Sequence, residues 1–224
     1  CPRVPAILVT AHGSESLAAE ALGVGAAGYI AKENLPIILC ESVRRMAAFT
    51  LANRDSLSIK ASLTPMPFEL VIDCMPERLV PVIELHLRML GAMGLLHSSE
   101  RIRIAEALHS VLAYCLLHCN LEVPFGSAPV SLQEAATIYE KMSDSDPDKT
   151  QRAVTLRTNV LEQEIHFEIR HDGDHRQLQR APLPGTPQSF HDESSRGLLL
   201  LTSVMDEVVF GNANQISMVK YRPR

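Results

Sequence analysis

The stretch EALHSVLAYCLLHCNLEV, residues 106–123, reads as an apolar helix that closes on a polar cluster of His118, Cys119, Asn120 and Glu122. Such a helix is either a core element or one wall of a small-molecule site. Glu106 stands one turn before Ser110 on the same side and is the carboxylate nearest that wall. A carboxylate there could activate water or a hydroxyl, although a solvated Glu106 without a role is the simpler expectation. Cys115, His118 and Cys119 fall at i, i+3 and i+4, a spacing that can converge on one metal ion. Two small thiols on an apolar helix are more simply packing residues, and no metal site is expected. His97 and His109 are expected at the surface.

These side chains need elements to hold them. PAILVT (5–10) is a short apolar run of the kind that forms a buried parallel strand, and SESLAAEALGVG continues as a helix. AAGYIAK and LPIILCESVRRMAAF read as a second strand and a second helix. Residues 51–67 are polar, carry prolines and form the expected linker. Beyond them FELVIDC alternates as a strand. PERLVPVIELHLRMLGAMGL is a helix with an apolar stripe expected through Val82, Leu85, Met89 and Ala92. The helix of 98–118 follows, and the polar segment SLQEAATIYEKMSDSDPDKTQ is expected as an exposed insertion. RAVTLRTNVL and EIHFEIRH form a strand pair, 172–195 a loop, RGLLLLTSVMDEV a helix and QISMVKY a last strand.

With 224 residues, one large or two small units are expected. The composition, 46% hydrophobic and 21% charged with a net charge of -5, is that of a globular chain and offers no basic face for nucleic acid. No apolar run approaches the roughly 20 uncharged residues of a membrane helix, so no membrane partner is expected. The five cysteines, at 1, 40, 74, 115 and 119, lack paired CxxC spacing. Reduced thiols in a cytoplasmic protein are the natural reading. The chain opens at Cys1 without an initiator Met, as if partway through a domain.

PAILVTAHGSESLAAEALGVGAAGYIAKENL resembles the second half of a response-regulator receiver domain. The resemblance puts Thr10 and Lys32 at the two strand ends where a hydroxyl and an ammonium meet a phosphorylated aspartate. The acidic pair and the phosphoacceptor belong to strands that this chain does not contain. Such a half-sheet leaves an unpaired inner edge, for which pairing with a second copy into a homodimer, or local disorder, is expected.

From about residue 68 the chain resembles the GHKL ATP-binding fold, in the variety found in anti-sigma-factor serine kinases. SRGLLLLTSVMDEVVFGNANQISMVK follows that family's closing pattern. The resemblance implies an α/β protein: residues 1–50 a partial doubly wound receiver, strand-helix-strand-helix, and residues 68–224 a two-layer α/β sandwich. It also implies ATP with Mg2+, held by a Glu, an Asn and a His at four-residue intervals on the pocket helix. Here Ser110 and Tyr114 occupy the Glu and Asn positions and His118 the third, with Asn120 after it. In the adenine loop His171 takes the Asp position, Asp172 is one residue off and Gly173 is retained. Ser195, Arg196, Gly197 and Leu198 stand for the family's G-R-G-L, a loop that opens a helix and favours an anion. The resemblance thus implies a bacterial signal-transduction regulator with a degraded nucleotide site. Its expected role is to bind a protein, an anti-sigma antagonist or another sigma-factor pathway protein. The alternative is an ATP-dependent serine/threonine kinase acting on an anti-sigma antagonist.

Overall fold

A computed structural model describes residues 4–11, 15–51, 67–92, 95–96, 98–124, 131–161, 163–174, 193–211 and 214–221. The expected linker lies almost wholly outside the described residues, as do His97 and most of the loop of 172–195. The chain is a mixed α/β protein. The first strand, β1 (Ile7–Thr10), runs parallel to β2 (Gly28–Ala31), with Ile7 opposite Gly28 and Thr10 opposite Ala31. Helix α1 (Glu15–Gly23) connects them, and α2 (Leu35–Leu51) follows β2 after one 3-10 turn.

The larger sheet is antiparallel throughout. Its strands are β3 (Phe68–Asp73), β4 (Ala153–Val160), β5 (Glu164–His171), β6 (Glu207–Phe210) and β7 (Gln215–Tyr221), in the order β3-β4-β5-β7-β6. Because side chains alternate along a strand, one face carries Ile72, Val154, Leu156, Ile165, Phe167, Ile169, Ile216 and Met218, all buried. Five helices among the described residues belong to this part: α3 (Leu79–Ala92), α4 (Ser98–Tyr114), α5 (Leu132–Ser145), α6 (Pro147–Thr150) and α7 (Glu193–Val204).

Helix α4 is the axis of the core. Ile104, Ala105, Leu108, Val111, Leu112 and Leu116 are fully buried, and α2, α3 and α7 pack around it. A helix apolar on nearly every side is stable only when enclosed in this way. Residues Glu100–Asn120 have the length and composition to cross a membrane, yet 78% of that apolar window is buried inside the protein. The same buried cluster takes in Leu22 of α1 and Phe49 of α2. After Tyr114 the helix widens into a π-helical segment, Cys115–Asn120, with Leu121 N–H bonded to the Leu116 carbonyl at 2.9 Å.

Four expectations about the elements change. The buried stripe of α3 is Leu79, Ile83, Leu87 and Leu90, while Leu85 is 51% exposed, so the stripe lies one residue round from the expected Val82, Leu85, Met89 and Ala92. The expected exposed insertion is α5 with α6. Ser131 caps α5 by accepting the Glu134 N–H at 3.2 Å, Ala135 is buried, and Ile138, Tyr139 and Met142 pack on the core. The α7 helix stops at Val204, and EVVF becomes the edge strand β6, because Asp206 Oδ2 accepts the Tyr221 N–H and pulls the chain into the sheet. The 98–118 helix is α-helical only to Tyr114.

His86 of α3 is fully buried between Phe68 and Phe167, with Nε2 3.2 Å from the Thr158 hydroxyl. Burial pushes its pKa down to about 4. The unfolded chain therefore binds a proton near pH 6.5 that the folded chain refuses, and stability falls as pH drops from there toward 4. The expected loss from this one group is on the order of 2 to 3 kcal/mol by about pH 4.5. Urea midpoints of the parent and His86→Phe at neutral and acid pH check it, the variant showing the shallower decline.

Candidate functional site

Position 106 is a carboxylate inside the core helix, and burial alone would push its pKa up. Arg45 of α2 opposes that shift. Its Nε donates to Oε1 of Glu106 at 3.0 Å and its Nη2 to Oε2 at 3.0 Å, a two-pronged pair. Glu106 is 3% exposed, so it is a buried ion-paired residue and the solvated reading is corrected. A fork of this kind fixes direction as well as distance and locks α2 against α4. His109, one turn along, is half-buried instead of lying at the surface. Burial, and then the Arg45 guanidinium, hold its pKa well below the usual histidine range, so the ring is neutral.

Ser110 donates its hydroxyl to the Glu106 carbonyl at 2.9 Å and faces α7. Gly197 lies against it: a Cβ on Gly197 would come 2.5 Å from the Ser110 Cβ. Leu198 is a buried core residue. The side chains of Ser195 and Arg196 lie outside the described residues. Tyr114 is buried, with its ring centroid 5.1 Å from that of His118. His118 Nδ1 lies 2.7 Å from the Val123 carbonyl. A carbonyl only accepts, so Nδ1 carries the proton.

The π-helical end joins the helix to the sheet. Asn120 is fully buried; its Nδ2 donates to the Ala153 carbonyl at 3.0 Å and to Cys74 Sγ at 3.3 Å, and its Oδ1 accepts the Gly173 N–H at 2.9 Å. Gly173 is required to be glycine, since a Cβ there would fall 1.8 Å from the Cys119 carbonyl oxygen. Asp172 accepts the Ala153 N–H at 2.8 Å and closes the edge between β4 and β5. His171, at the Asp position of the resemblance, is buried on the core face. Glu122 takes a positive φ of 56° where the chain leaves the helix, and is held there by Arg152 at 2.8 Å and Lys149 at 3.0 Å. The Arg152 side chain also donates to the Asn120 carbonyl at 2.7 Å, a cation at the negative end of the helix dipole.

Among the described residues no group of three or more His, Cys, Asp or Glu side chains could hold a metal ion. Thr10 and Lys32 stand at the ends of the paired strands β1 and β2, Lys32 exposed. A cavity of about 190 Å³ opens between the α2–β2 side and α4, α5 and α7, touching Arg45, Glu106, His109 and Ser110. Sequence reasoning missed Arg45, which is 61 residues from its partner and carries no local signal. The Ser131-x-x-Glu134 box, by contrast, was readable and would have found α5. No protein-family model matches the chain, and no curated protein does.

Removing one partner of a buried ion pair leaves an uncompensated charge, so Arg45→Met is expected to cost about 3 to 5 kcal/mol. Adding Glu106→Leu should restore most of it. With Arg45 gone, the raised pKa of Glu106 is unopposed, and a raised carboxylate pKa loses stability as pH rises. The deficit of the single variant should shrink between pH 7 and 5, measured as urea midpoints across the double-mutant cycle.

Proposed function

We propose that this chain is a bacterial, cytoplasmic signal-transduction regulator that works by binding a protein of a sigma-factor pathway. In this reading a receiver-like segment precedes a GHKL-like sandwich whose nucleotide site no longer operates. The observation that carries the reading is the inward use of the positions a nucleotide would need. Asn120 has its amide donors and its acceptor engaged within the protein. Gly173 is seated on the Cys119 backbone and Gly197 on Ser110, so the elements that would flank a base and its phosphates rest directly on α4.

The side chains present do not fit a Mg-nucleotide. Ser110 and Tyr114 supply neither the carboxylate nor the amide that would act on Mg2+ and the attacking group, and Glu106 is neutralised by Arg45. A fold that keeps its shape without the chemistry still presents the same outer surface to a protein partner.

Calorimetry of the full chain against ATP, with and without Mg2+, tests the reading directly. No saturable heat and no rise in Tm at millimolar ATP is the expected result. Saturable binding with a concentration-dependent Tm would contradict it. A purified anti-sigma antagonist is expected to co-elute with the chain in gel filtration whether or not ATP is present.

A further inference from the structure

We propose that the cavity between α2, β2 and α4 is a binding site for a small uncharged molecule, one ring in size, with an apolar body and a single hydrogen-bonding group that meets His109. The cavity measures about 190 Å³. A cavity of about 150 Å³ lined by apolar side chains is enough to admit benzene. Here Ile38, Leu79, Ala113, Leu117 and Leu200 supply the apolar wall.

The polar part of the wall includes Arg45, Glu106, His109 and Ser110 together with Tyr29, Glu41, Ser42, Tyr114 and Ser131, and most of these already have partners: Glu41 accepts the Leu132 N–H and Ser131 the Glu134 N–H. Arg45 and Glu106 hold each other, and the Ser110 hydroxyl donates to the Glu106 carbonyl. His109 has no hydrogen bond to any described residue. As a neutral ring it offers one N–H and one bare nitrogen, so a hydroxyl or a carbonyl on a ligand can meet it from either side. A charged ligand would lose its hydration and find both counter-charges engaged, a cost that an uncharged one escapes. The site draws on the α2–β2 side and on α4 together, and because Ser110, Tyr114 and Gly197 line it, it rests on the reading that these positions no longer hold a nucleotide.

The probes are phenol, benzene and benzoate, titrated into the full chain by thermal shift and by NMR of the His109 ring. Phenol should raise the Tm with concentration and move the His109 ring signals, benzene should do so more weakly, and benzoate should do neither. His109→Leu should weaken phenol about tenfold by removing its hydrogen bond. Ala113→Leu, which narrows the cavity, should abolish binding while the protein stays folded. If that variant fails to fold, Leu200→Phe takes its place, and the His109→Leu comparison stands by itself. No Tm rise and no ring shift with millimolar phenol would overturn the proposal. So would equal effects from benzoate, or phenol affinity unchanged in His109→Leu.

Discussion

A carboxylate at the centre of an apolar helix and a guanidinium from a helix 61 residues earlier in the chain meet in two parallel hydrogen bonds, and the arrangement of α2 on α4 depends on that meeting. Either charge alone would be costly at this depth, because a buried ion gives up its hydration for nothing. Together they satisfy each other and, being planar, they also fix the angle at which α2 lies. Phe49 of α2, and Leu22 of α1, join the common core beside that pair. Hydrophobic burial supplies most of the driving force but little direction. The ion pair supplies the direction.

The far end of α4 is fixed differently. Its π-helical segment carries Asn120 to where one side chain bonds β4, Cys74 and Gly173 at once. Burial raises the Cys74 thiol to about 11, so it stays protonated and donates to the Arg152 carbonyl. Most polar groups in this region are therefore paired among themselves, as burial demands, while both ring nitrogens of buried His171 lack a hydrogen-bond partner. Nearer its middle, the same helix turns Glu106, His109, Ser110 and Tyr114 toward the cavity.

Much of the fold was legible because periodicity reports burial. The apolar run of β1, the alternation in β4 and β5 and the apolar length of α4 each gave the right element. The phase of α3 was not legible, since Val82, Ile83, Leu85, Leu87 and Met89 permit two stripes and long-range packing, chiefly against α4, selects one. β6 was hidden because MDEV continues an apolar helical pattern, and the bond from Tyr221 N–H to Asp206 that ends it is long-range. The candidate site was legible as a helix face but not as chemistry. Whether Glu106 is solvated or paired depends on Arg45, and spacing within one helix carries no information about a residue on another.

Native-state hydrogen exchange of α2 tests the central claim most directly. If the Arg45–Glu106 pair docks α2 onto the core helix, amides around residues 42–50 should exchange only through the same global opening that releases α4. Exchange of those amides at rates far above α4, under conditions where α4 stays protected, would mean that α2 opens by itself and that the pair does not organise the structure.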